Sequence, residues 1–146
     1  MTRSLGLTLA ALGLTLAASS PALAQDKIYR SADAVSGKAV RLGLYEDVSK
    51  ECAPGPLPEV KVITPPKHGS FTVRSGKTKA GALKRCPKLE VPAQGVYYQA
   101  NANYTGTDEV AYEVKRGDRP TQSVTVKITV GAQAKPGAGT KETTDL

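Results

Sequence analysis

The sequence predicts an all-β protein, a β-sandwich of about seven short antiparallel strands. Three observations carry that expectation. Residues 107–115 (TDEVAYEVK) and 121–130 (TQSVTVKITV) alternate strictly, with Val110, Tyr112, Val114, Val124, Val126, Ile128 and Val130 on one side and Glu109, Ala111, Glu113, Lys115, Thr125, Lys127 and Thr129 on the other. Such a period of two marks strands with one buried face. No segment after the first two dozen residues carries an apolar stripe at the 3.6-residue helical period. Turn-forming Gly, Pro, Asn and Asp separate the short apolar runs, and that spacing is the habit of sandwiches.

The elements follow in order. Residues 1–24 read as an export leader: Arg3 is the charged start, 5–18 (LGLTLAALGLTLAA) the apolar stretch, and Ala22-Leu23-Ala24 the small-x-small cleavage signal. The apolar stretch is too short to span a bilayer and is interrupted by Ser19, Ser20 and Pro21. Gln25 becomes the mature N-terminus, and because it is not Cys no lipid anchor is expected. The destination is therefore periplasmic or secreted. Residues 25–131 form the domain. Strands are expected at 38–44 (with Val40, Leu42 and Leu44 on one face), 58–64, 70–74, 95–99, 107–115 and 121–130. The last two make a hairpin through the turn Arg116-Gly117-Asp118-Arg119-Pro120. Its RGD triplet is too short a match to argue for integrin binding. From 132 to 146 the chain is polar and aperiodic, and a disordered tail is expected.

Cys52 and Cys86 are the only cysteines. An even count in an exported chain reads as a structural disulfide, here closing about 35 residues and stabilising by roughly 3–4 kcal/mol in the chain-entropy model. Without a CxxC or neighbouring ligands, a redox or metal pair is the weaker reading.

The formal charge is +7; losing Arg3 with the leader leaves 19 Lys and Arg against 13 Asp and Glu, or +6. Part of this excess is concentrated in 75–94 (SGKTKAGALKRCPKLEVPAQ), read as a long inserted loop stapled by Cys86. Lys77, Lys79, Lys84, Arg85 and Lys88 lie there with Glu90 as the sole acid. These five residues are the candidate contact for an anionic ligand; the alternative is a solvated loop that keeps the protein soluble.

Pro66-Lys67-His68-Gly69 and the run 98–114 (YQANANYTGTDEVAYEV) resemble the bacterial cadherin-like, Ig-like repeats of large surface proteins. Pro66, His68 and Gly69 match the first part of that pattern. Tyr98, Asn101, Asn103, Gly106, Asp108, Tyr112 and Val114 match the second. Tyr104 and Val110 replace aromatics, and Ala100 stands where Pro is usual. The resemblance covers about 36–131 and implies an Ig-like, cadherin-like β-sandwich. On that reading 101–108 is a corner between strands, with Gly106 at positive φ, Asp108 or Asn103 bonding nearby backbone N–H groups, and Tyr98, Tyr104 and Tyr112 covering the core with hydroxyls at its rim. The family's tandem repetition is missing, since one copy is present. So is its Asp-rich calcium stretch: only Glu46, Asp47 and Glu51 stand in that region, and no calcium or other cofactor is expected.

His68 is the single histidine, and no GxSxG, HExxH or P-loop occurs. Catalysis is therefore not expected. The expected function is an exported, non-catalytic binding module for a protein or glycan partner of the envelope or outside the cell. The alternatives are an accessory subunit of an envelope complex and, further off, a small enzyme inhibitor.

Overall fold

The computed structural model describes residues 25–80 and 84–132. The expected leader and the tail from 133 onward lie outside them, as do residues 81–83 of the basic segment. Seven strands follow in chain order: β1 (Asp26–Val35), β2 (Ala39–Glu46), β3 (Glu59–Thr64), β4 (Gly69–Lys79), β5 (Glu90–Ala100), β6 (Gly106–Lys115) and β7 (Gln122–Gly131). They form two sheets, β1-β7-β6-β3 and β2-β5-β4, and no helix occurs among the described residues. This is the all-β sandwich that the alternation predicts.

The core lies between the sheets. Val110, Tyr112 and Val114 of β6 and Val124, Val126, Ile128 and Val130 of β7 point into it, as their spacing requires. Val96, Tyr98 and Ala100 of β5 face them from the other sheet, with Leu42 and Tyr45 of β2. At about 25 cal/mol per Å² of apolar area removed from water, these contacts are the main favourable term for the fold.

Three details differ from the expectation. β1 was not foreseen. It pairs parallel to β7, Asp26 beside Gln122 through Val35 beside Gly131, so the sandwich is not wholly antiparallel. Its inward residues include Ala32 and Ala34, too weakly apolar to mark a strand in sequence. β2 carries a bulge between Arg41 and Gly43. The extra residue carries Leu42 and Tyr45 both into the core, three apart, while Leu44 sits opposite Gly95 and leaves the face shared with Leu42. Gly43 leaves room for the Tyr45 ring, which lies within 2.9 Å of where a Cβ would stand. Finally, 75–94 is not one long loop. β4 runs on to Lys79 and β5 starts at Glu90, paired without a break from Gly69 beside Ala100 to Lys79 beside Glu90. The Ser, Thr and Lys of β4 are polar because this part of the edge strand is largely exposed, not because it is irregular.

Candidate functional site: the disulfide-clamped basic end

The loops gather at two ends. One end holds the turns 36–38, 65–68 and 101–105. The other holds the loops 47–58 and 80–89, the turn 116–121 and the start of β1.

The first end contains the residues of the family-like motif, and it is a polar latch. Asp108 is buried at 6% exposure. Its Oδ1 accepts from the backbone N–H groups of Lys67 (3.0 Å) and Glu109 (2.9 Å). Its Oδ2 accepts from His68 N–H (2.8 Å) and the Tyr98 hydroxyl (3.0 Å). Burial alone would raise the Asp108 pKa, but the four donors together hold it below the usual carboxylate value. The expected bonds to nearby backbone are thus only partly local, since two of the donors lie about forty residues away on the 65–68 turn. Asn103 supplies backbone rather than a side-chain bond: its φ is 65°, and Gly106 follows at 136°. Gly69 lets the Tyr98 ring pass, since a Cβ there would meet the ring at 2.6 Å and the Gln99 carbonyl at 2.5 Å. Pro66 lies within the 65–68 turn, and Asn101 N–H donates to the His68 carbonyl (2.8 Å). His68 stacks on Tyr104 at 4.2 Å.

The tyrosine hydroxyls do not reach the rim as expected. Tyr98 and Tyr112 are fully buried. Tyr112 shares a 2.8 Å hydrogen bond with Tyr45, and Tyr98 is bound to Asp108. Burial first, and these partners second, push both phenol pKa values well up. Only Tyr104, bonded to the Thr107 carbonyl at 2.7 Å, stands at the edge. Tyr45 was missed as a partner because the bulge in β2 hides its inward side.

The second end has its own small core. Near Gly95 the buried side of β5 changes: Val96 and Tyr98 face the other sheet, whereas Val91 and Ala93, also fully buried, lie on the opposite face. Val91 packs with Val48, Ala80 and Cys86, and Cys52 and Leu89 close the cluster. Cys52 and Cys86 form the expected disulfide, with Cα atoms 5.7 Å apart. It joins the β2–β3 loop to the β4–β5 loop over this cluster. The 47–55 segment is itself hydrogen-bonded: Ser49 N–H donates to the Ala53 carbonyl (3.0 Å) and Gly55 N–H to the Asp47 carbonyl (2.8 Å). The Arg85 guanidinium donates to the Ser49 carbonyl at 3.2 Å. Arg119 ties the RGD-containing turn to the same loop through Asp47 (3.3 Å) and the Val48 carbonyl (3.2 Å).

The side chains of Lys77, Lys79, Lys84, Arg85 and Lys88 are all exposed at this end, with Lys50 beside the disulfide. Glu51 and Glu90 are the exposed acids on these two loops and the adjoining ends of β4 and β5, and Glu90 sits across from Lys79. These exposed positions carry six positive charges and two negative, a net +4, and the neighbouring 116–121 turn adds exposed Asp118 and Arg119, which cancel. The arrangement can attract and hold a polyanion. Among the described residues, no three His, Cys, Asp or Glu side chains are placed to bind a metal ion.

Sequence reasoning overlooked the outer face of the β1 sheet. There Tyr29, Arg30, Ser31, Glu109, Thr125 and Lys127 line a shallow groove of about 550 Å³. Tyr29 is 76% exposed. The groove went unseen because β1 did.

No protein-family model matches the chain, and no curated protein matches it.

Proposed function

We propose that this chain is an exported, non-catalytic module of the Ig-like, cadherin-like type that holds an anionic polymer of the cell envelope against its basic end. One observation carries the reading: five Lys and Arg side chains stand exposed on a hairpin end that a disulfide and a small apolar core hold in place. Charges fixed in this way lose less ordering entropy on binding than the same charges on a free tail. Export is supported by the disulfide, a bond of oxidising compartments. The family-like motif supports the structural side of the reading. Its aspartate, tyrosine and histidine–glycine turn are used in joining strands, which leaves recognition to the other end.

The test is binding of lipopolysaccharide, an acidic glycan and DNA at low and high salt, with the quadruple variant Lys77→Ser, Lys79→Ser, Lys84→Ser, Arg85→Ser as comparison. Saturable binding that weakens with salt and falls in the variant is the expected result, since counterions screen such attraction over about 8 Å at physiological ionic strength. A folded variant that binds all three as well as the parent rejects this site.

A further inference from the structure

Among the described residues the edge strand β3 has one hydrogen-bonded neighbour, β6, and its other edge is unpaired. Five of its six residues are exposed. Of the four large apolar side chains left exposed on the described surface, three belong to this edge or its approach: Leu57 at 43%, Val62 at 37% and Ile63 at 51%. We propose that β3 pairs antiparallel with β3 of a second copy of this chain, about a two-fold axis through Val60.

The choice of a second copy rests on charge complementarity. Residues directly opposite in an antiparallel pair share a face, so a two-fold pairing must be centred on one residue. Centring on Glu59 opposes two glutamates, and centring on Lys61 opposes two lysines. Centring on Val62 leaves both charges facing uncharged residues. Only Val60 at the centre sets Glu59 of each copy against Lys61 of the other. The same register brings exposed Leu57 opposite exposed Ile63, while Val62 lies opposite Pro58, which is buried within its own chain.

The neighbouring strand extends the pattern. Within one chain Glu59 already faces Lys115, and Lys61 faces Glu113. Across the proposed junction the outer face would read Lys115, Glu59, then Lys61 and Glu113 of the second copy, an unbroken row of alternating sign. The reciprocal row runs beside it.

The features that guard this edge set the size of the contact. β3 is six residues long, carries a bulge between Val62 and Thr64, and is followed by Pro65 and Pro66. Pairing is therefore confined to about 57–63, and the dimer belongs with small, reversible interfaces of less than about 1,200 Å². Because the contact is isologous it closes on itself and uses the open side of β3, so it does not propagate into fibres. Antiparallel pairing also directs the two basic ends in opposite directions, giving a dimer with one at each end.

Sedimentation of the purified chain up to about 1 mM, the range for weak association, tests the pairing together with two charge reversals. Glu59→Lys and Lys61→Glu each place like charges at both contacts, so each variant alone should sediment as a monomer. Mixed in equal amounts, they restore a Lys–Glu pair at both contacts and should dimerise as the parent does. A parent that stays monomeric, as it would if this edge served only a peptide or another protein, overturns the proposal. So does a variant that self-associates like the parent, or a mixture that does not associate. Thermal melting checks that both variants are folded. As a measurement free of substitutions, zero-length carbodiimide coupling of a ¹⁴N and ¹⁵N mixture of the parent should join Glu59 of one isotope to Lys61 of the other. Absence of the mixed-isotope peptide rejects the register.

Discussion

The chain has two apolar cores, and they are held in different ways. The core between the sheets gathers thirteen buried residues from five strands, so the two layers hold each other without outside help. The core at the basic end has four buried residues, drawn from the hairpin end and two loops, and a disulfide lies across it. Four small side chains remove too little apolar surface from water to offset the ordering of two loops. A covalent link that limits the unfolded chain makes up the difference, as it does in small scaffolds generally. One chain thus uses burial where strands alternate and cross-linking where loops must be fixed.

The strongest way to break the comparison is at Tyr112, which is fully buried and touches Phe71 and Tyr45. Tyr112→Ala should cost about 4 kcal/mol through cavity formation, and it also strips the Tyr45 hydroxyl of its partner. Tyr112→Phe keeps the ring and should cost only about 1–2 kcal/mol for the orphaned hydroxyl. Urea denaturation of both variants checks the ordering. Equal losses would mean that the hydroxyl pair, not packing, dominates.

Next in size is the disulfide. Replacing both Cys52 and Cys86 by Ala should cost about 3–4 kcal/mol if the whole chain unfolds as one unit. The two-core picture gives the loss a location. Hydrogen exchange should quicken at Val91 and Ala93 while Val110 and Val126 keep their protection. Equal loss of protection in β6 and β7 would merge the two cores into one cooperative unit.

The latch at Asp108 should give a smaller effect that depends on pH. Its native pKa is lowered from 3.8, so its contribution is complete above that value and is lost as pH falls through the native pKa. Asp108→Asn should cost about 2 kcal/mol at neutral pH, by weakening charge-assisted bonds to two N–H groups of the 65–68 turn and to Tyr98. The difference between variant and parent should shrink in acid. A constant difference from pH 7 to pH 2 would contradict the role of the charge.

Legibility in the sequence followed the same division. The neighbouring strands β6 and β7 could be read residue by residue, because large apolar side chains alternate with polar or small ones without interruption. β1 could not, since Ala32 and Ala34 do its inward work and parallel pairing leaves no turn signal. The bulge in β2 concealed Tyr45, because one extra residue breaks the period on which its side was judged. Asp108 read as a turn residue, yet its partners Lys67 and His68 lie about forty positions away, a distance no local pattern reports. At the basic end the disulfide and the charged residues were legible by type. The continuation of both strands was not, because that part of the hairpin buries its opposite face, and the composition there resembles a loop.

The finest test separates charge from clamping at the basic end. The Cys52→Ala, Cys86→Ala double variant keeps Lys77, Lys79, Lys84, Arg85 and Lys88, so its electrostatic attraction to a polyanion is intact. What it loses is the fixed arrangement of the 47–58 and 80–89 loops. Ordering even one backbone residue on binding costs about 1–2 kcal/mol, so affinity for the polymer should fall by about tenfold. The number of charges engaged is unchanged, so the slope of log affinity against log salt should stay the same. The quadruple Lys and Arg variant should do the reverse, lowering that slope while each exposed Lys substitution changes stability by less than about 0.5 kcal/mol and Arg85→Ser by about 1 kcal/mol for its lost bond to the Ser49 carbonyl. Measuring both quantities on both variants distinguishes the cases. If the double variant, still folded, binds as tightly as the parent, the disulfide serves stability alone and the basic end needs no rigidity to act.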